Sequence, residues 1–243
     1  MFYRKKTVAT SYESDANNLL RLSGMLRHMQ QTSGEQLSSI GQSNEWLAGH
    51  DMAFLLTKSN TKVHRNPVCG EKIVIGTAAT PPKGVKFVRE FIIETPQGER
   101  LVSSYSLWVL VDIKNHKILR PSMYPHTWEW ENPTLEEAPG DIAIPKQTLP
   151  GAQSWAMQRT AHYSYIDVNK HVNNSVYADF ICDALPYDLL TSRGISTMAI
   201  NFQKEAKHGD TLTIQTFELE ESAYKIVGVN GEAPCFEAYV RLR

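Results

Sequence analysis

The chain has 243 residues, 42% of them hydrophobic and 21% charged, which suits one large or two modest folded domains and excludes disorder. Lys plus Arg is 25 and Asp plus Glu is 26, a formal net charge of −1, so nothing favours a general nucleic-acid binder. Cys69, Cys182 and Cys235 are widely spaced with no CxxC pair, so reduced, buried thiols are expected rather than a zinc site or disulfide framework.

The N-terminus, Met1-Phe2-Tyr3-Arg4-Lys5-Lys6, is basic, but no apolar run of signal-peptide length follows. Nor does any stretch approach the length of a membrane span. A cytoplasmic location is therefore expected. Tyr3 to Thr10 reads as a strand, and Tyr12 to Asn17 as the polar start of a helix carrying Leu19, Leu20, Leu22, Met25, Leu26 and Met29. Ala53-Phe54-Leu55-Leu56 opens a strand-rich stretch, with strands at Lys72 to Thr77, Val85 to Glu94 and Leu101 to Asp112. Leu119 to Pro150 holds six prolines together with Trp128 and Trp130. Proline at that density opposes regular structure, while the tryptophans favour packing on a surface.

The plan then repeats. Ala156 to Tyr165 alternates like a strand, and Asp167-Val168-Asn169 begins a second helix carrying Val172, Val176, Tyr177, Phe180 and Ile181. Strands follow at Thr197 to Phe202, Thr211 to Glu218, Tyr224 to Asn230 and Cys235 to Arg241, with a hairpin signal at Asn230-Gly231. Asp15-x-Asn17 corresponds to Asp167-x-Asn169, and Gly70-Glu71 to Gly209-Asp210. Such self-similarity implies a tandem duplication. Each unit is one helix, apolar enough to be wrapped by a curved sheet, followed by antiparallel strands. The domains are residues 1–135 and 151–243, with a linker at 136–150.

The densest polar cluster is Asp167-Val168-Asn169-Lys170-His171-Val172-Asn173-Asn174, at a strand-to-helix handover. A helix start offers unpaired N–H groups and partial positive charge for a developing oxyanion. Capping explains one Asp or Asn, but not a carboxylate, an imidazole and three amides in eight residues. On a helix, Asp167 and His171 would share a face. A second cluster, Asn201 to Asp210, reads on its own as a strand end and polar loop.

Asp167-x-Asn169-x-His171-x-Asn173-Asn174, with Tyr177 three residues later, resembles the signature of acyl-acyl-carrier-protein thioesterases, and the resemblance covers essentially the whole chain. It implies an α+β fold of two tandem hotdog domains, each a long helix wrapped by an antiparallel β-sheet. It also implies hydrolysis of fatty acyl-acyl carrier protein in fatty acid biosynthesis. The catalytic set it implies is Asp167, Asn169 and His171, plus Glu205 from a downstream Glu-Cys element. Ala206 stands where the family has the cysteine, so a thiol nucleophile is absent from that position and attack by water is favoured. Glu205 would be the general base, helped by His171, with Asp167 orienting the neighbouring groups or exchanging roles with Glu205. Asn169 would hold the water or the thioester oxygen, and Asn173 and Asn174 would position substrate and oxyanion.

In the first unit Leu19 replaces the histidine and Asn66 stands opposite Glu205, so that unit is expected to supply the acyl-chain pocket and no chemistry. The implied partner is an acidic acyl carrier protein bearing a fatty acyl phosphopantetheine. Arg159, Lys170, Arg193, Lys204, Lys207 and His208 flank the motif as a docking face. No metal, cofactor, nucleic acid or membrane span is expected, and two fused units suffice as a monomer, with a homodimer also open. A broader acyl-CoA thioesterase or a non-catalytic acyl-binding protein are the alternatives.

Overall fold

The computed structural model describes residues 2–124, 138–146 and 154–243. Its first half contains β1 (Phe2–Val8), α1 (Leu22–Ser39), α2 (Asn44–Gly49), β2 (Met52–Val63), β3 (Lys72–Ala79), β4 (Lys86–Glu94), β5 (Arg100–Asp112) and the short β6 (Lys117–Ile118). The second contains β7 (Ser154–Thr160), α3 (Val176–Asp183), α4 (Tyr187–Arg193), β8 (Ile195–Phe202), β9 (Thr211–Glu220), β10 (Ala223–Asn230) and β11 (Ala233–Leu242). The expected strands are all present. The short helices α2 and α4 and strand β6 had no signal in the periodicity, being too brief to set one.

The strands form one antiparallel sheet in the order β1-β3-β4-β5-β2-β8-β11-β10-β9-β7, with β6 beside β5. Reading inward from either end gives the same topology, 1-3-4-5-2 and 7-9-10-11-8. The halves meet where β2 pairs β8, from Lys58 opposite Asn201 to Lys62 opposite Thr197. Each half-sheet curls around its helix. Val176, Tyr177, Ala178, Phe180 and Ile181 of α3 are buried, as a helix enclosed by a sheet requires. Met25 and Met29 of α1, Ile75 of β3, Phe180 of α3 and Ile226 of β10 belong to a single core that spans both halves. Each such side chain contributes roughly 1.5–3 kcal/mol on burial. A smaller cluster of Leu47, Phe87, Leu110, Leu119 and Tyr124 packs beneath α2.

The duplication holds at the level of single hydrogen bonds. Asp15 N–H donates to Leu19 O (2.8 Å), as Asp167 N–H does to His171 O (2.9 Å). Leu20 N–H donates to Pro67 O as Val172 N–H does to Ala206 O, both at 2.8 Å. Gly70 and Gly209 take left-handed φ values of 85° and 87°, where a side chain would be strained. Pairing Pro67 with Ala206 places Asn66 opposite Glu205.

One expectation is corrected. Neither helix begins at its Asp-x-Asn motif: α1 starts at Leu22 and α3 at Val176. Asp167 Oδ1 accepts the Asn169 N–H at 2.8 Å, and Lys170 adopts a φ of 66°. That Asx turn competes with helix for the backbone, and Asp15 with Asn17 does the same (2.8 Å). Strand β7 likewise ends at Thr160, and Tyr163–Tyr165 form a 3-10 turn.

Trp128 and Trp130, and the domain boundary at 135–136, lie outside the described residues. The described segment 138–146 packs on the sheet. Lys58 Nζ pairs with Asp141 at 2.8 Å, Asn60 Nδ2 donates to Gly140 O at 2.8 Å, and the buried Lys225 Nζ donates to Pro145 O at 2.7 Å.

Candidate active site

The Asp167 turn closes on itself. Lys170 N–H donates to Asp167 O at 2.9 Å, and Ile166 bridges Val172 in antiparallel fashion. Asp167 and His171 therefore face each other across a turn rather than along a helix. The turn is held by Asn173, whose Nδ2 donates to Asp167 Oδ2 (3.3 Å) while its Oδ1 accepts from Ser175 N–H (3.0 Å) and Ser175 Oγ (2.7 Å). Its own N–H donates to Tyr165 O at 2.9 Å. The side chain and N–H of Asn173 are thus both engaged in fixing the loop. With α3 starting at Val176, the helix-terminus argument attaches to Asn174.

The second cluster is drawn to the first by two hydrogen bonds, Val172 N–H to Ala206 O (2.8 Å) and Ala206 N–H to the Tyr177 hydroxyl (3.2 Å). Ala206 is fully buried. Burial pushes the Tyr177 phenol up to about 12, so it remains a neutral hydroxyl. The adjacent Glu205 thereby sits with Oε1 3.4 Å from His171 Nε2, the carboxylate half-exposed and the imidazole about one-third exposed. Such an acid–imidazole pair at a solvent boundary can take up and pass on a proton.

The Asp167 turn borders a cavity of about 270 Å³. Its walls come from the first half: Gln30, Ser33, Gly34 and Leu37 of α1, Leu47 of α2, Phe54 of β2, Phe87 and Arg89 of β4, and Trp108 of β5. Asp167, Asn169 and Asn174 complete it from the second half. A smaller void of about 40 Å³ is also lined by Gln30, Trp108 and Asn174. The structure thus brings Asp167, Asn169 and Asn174 to the cavity and joins His171 to Glu205 outside its lining. Within the cavity, burial pulls the Arg89 guanidinium down to about 10. The sequence motifs did not reveal these lining residues. Arg89 alone had a signal, an arginine at an inward position of the Phe87-Arg89-Phe91 alternation.

Of the flanking cations, Lys170, Lys204 and Lys207 are exposed. Arg159 pairs with Asp183 at 3.0 Å, and Arg193 with Glu221 at 3.4 Å and the Ser222 hydroxyl. Val168, at the tip of the turn, is 89% exposed.

Two hotdog units on one sheet, both keeping the Asx turn but with the His171–Glu205 pair in only the second, define a double-hotdog protein. The chain matches the acyl-ACP thioesterase N-terminal domain over residues 1–122 and the acyl-ACP thioesterase C-terminal domain over residues 151–235. It belongs to the acyl-ACP thioesterase family. It is 24% identical over 220 residues to the chloroplastic acyl-[acyl-carrier-protein] hydrolase FATB2 of Cuphea viscosissima, an alignment covering 84% of this chain and 52% of that protein. The chain spans about half the length of that relative. Its fold is shared by an acyl-ACP thioesterase from Bacteroides thetaiotaomicron (TM-score 0.85, 21% identity, 100% of this chain and 98% of that one). A 12:0-ACP thioesterase from Umbellularia californica also shares it (TM-score 0.84, 18% identity, 100% and 97%).

Proposed function

We propose that this chain hydrolyses the thioester of fatty acyl-acyl carrier protein and releases the free fatty acid by direct attack of water. The observation that carries this reading is the cavity walled by the first half that opens on Asp167, Asn169 and Asn174, residues of the same turn that holds His171 of the His171–Glu205 pair. Residues 1–135 serve as the acyl-binding unit and residues 151–243 as the catalytic one.

In this reading the acyl chain lies against α1, and the thioester carbonyl sits between Asn169 and Asn174. Glu205, with His171 at 3.4 Å, takes a proton from water as the oxygen attacks the carbonyl carbon. Asn174, at the start of α3, and Asn169 stabilise the tetrahedral oxyanion. Collapse breaks the C–S bond, and the pantetheine thiolate recovers the proton. Asp167 and Asn173 position the turn. A thiol nucleophile has no place in the scheme, since Ala206 is beside Glu205.

Lys170, Lys204 and Lys207 form the docking face for an acidic carrier, Arg159 and Arg193 being partly neutralised by Asp183 and Glu221. Exposed charge of this kind acts mainly on encounter and is screened by salt. Among the described residues no helix is long and apolar enough to cross a membrane. A cytoplasmic location belongs to the same proposal, as does a monomer or homodimer.

The test is thiol release from one long-chain acyl carrier protein and, side by side, from the matching CoA ester. Faster turnover of the carrier substrate, with an apparent KM that rises steeply with salt, supports the proposal. Preference for the CoA ester would overturn the carrier assignment, and release from neither would overturn the hydrolase.

A further inference from the structure

Arg89 is a cation in a place where a fatty chain would be expected to meet only hydrocarbon. It is 6% exposed and lines the cavity. Both hydrogen bonds that its guanidinium makes among the described residues leave from Nη1, to Gln36 Oε1 and to Thr77 Oγ1 (3.2 Å). Both acceptors are neutral, and among the described residues no carboxylate pairs with it. Guanidinium carries five N–H donors in a rigid fork, so donors remain beyond those two bonds. The polar theme extends along the wall through Gln30, Ser33 and Asn44. Along α1, Gln36 lies six residues beyond Gln30, on the order of 9 Å at the helical rise. Gln30 lines the smaller void together with Asn174, which sets Gln36, and Arg89 bonded to it, roughly 9 Å along α1 from the Asn174 end.

Filling this cavity with a plain alkyl chain would press methylene groups against a charge that has no carboxylate partner among the described residues, an arrangement that is costly unless the charge is hydrogen-bonded. We propose, on the reading of the site as a fatty acyl pocket, that Arg89 selects acyl chains bearing an acceptor oxygen distant from the thioester, as a hydroxyl or a carboxylate. The fork of Arg89 receives that oxygen, and Gln36 and Thr77 hold the fork in place.

The experiment measures kcat/KM on acyl carrier protein loaded with saturated chains, with the same chains hydroxylated at successive carbons, and with chains ending in a carboxylate. The wild type should prefer the best oxygenated chain over its saturated counterpart by about tenfold or more, as expected for a hydrogen bond to a buried charge. Arg89→Leu should abolish that preference while raising turnover of saturated chains. Its fold is checked by thermal melting, where removal of a buried charge with no carboxylate partner among the described residues should not lower Tm. Arg89→Lys should keep part of the preference for the carboxylate and lose that for the hydroxyl, because ammonium keeps the charge but not the fork. Equal turnover of saturated and oxygenated chains by the wild type would overturn the inference and leave the thioesterase reading standing. Release from no acyl chain would overturn both.

Discussion

Asn173 does more for the site than its place in the motif suggests. Through Asp167 and Ser175 it ties the turn to the start of α3. Asn173→Ala should therefore lower kcat by roughly tenfold with little change in KM, through misplacement of Asp167 and Asn174. It should cost about 1 kcal/mol in stability for the lost bonds. Steady-state kinetics and urea unfolding check the two effects, and a pure rise in KM would contradict the positioning role. The sequence made this region legible because Asp and Asn concentrate where the backbone needs local acceptors. What it mistook was which local structure they serve: an Asx turn and a cap look alike in one dimension. Of the thiols expected to be buried only Cys235 is, Cys69 and Cys182 being half-buried, yet desolvation on α3 still pushes the Cys182 thiol up to about 12 from an ordinary 9.0. A thiol whose folded pKa is raised contributes stability that is complete below its unfolded value. That contribution is lost as pH climbs toward the folded one. Urea midpoints should hold steady up to about pH 9 and fall between there and pH 12, and Cys182 should resist thiol reagents in the native protein.

Strand β10 illustrates what elements demand of single positions. A Cβ built on Gly228 would run into the Phe236 ring of the neighbouring β11, and the register between these strands shifts at Gly228/Val229. Gly228→Ala should destabilise by about 1–3 kcal/mol through overpacking, read as a lowered Tm, and an unchanged Tm would show that the ring moves aside freely. The long strands were legible as alternating or apolar runs between turn signals. The pairing of β2 with β8 was not, because the residues that meet, such as Thr61 and Met198, carry no mark of each other in the sequence. The cavity was hidden for the same reason. Its wall draws on two helices and four strands of the first half, and only Asp167, Asn169 and Asn174 belong to a recognisable motif.

At the scale of the molecule, duplication followed by division of labour explains the architecture. The first unit keeps the Asp15 turn but has Leu19 and Asn66 where the second has His171 and Glu205, and its α1 and sheet wall the cavity instead. Because β2–β8 pairing makes one sheet and one core spans both halves, the two units should unfold together. Tryptophan fluorescence and circular dichroism should give coincident transitions, and two separated transitions would show that the halves are independent.

In the proposed mechanism Glu205 and His171 drive water attack in the second half while the first half binds the acyl group. Thiol release from acyl carrier protein by Glu205→Gln and His171→Ala, measured against the wild type at saturating substrate, tests it most directly. A fall in kcat of about 10²-fold or more in each, the usual worth of a positioned base, with KM little changed, is the predicted result. Near wild-type turnover in either variant would contradict it.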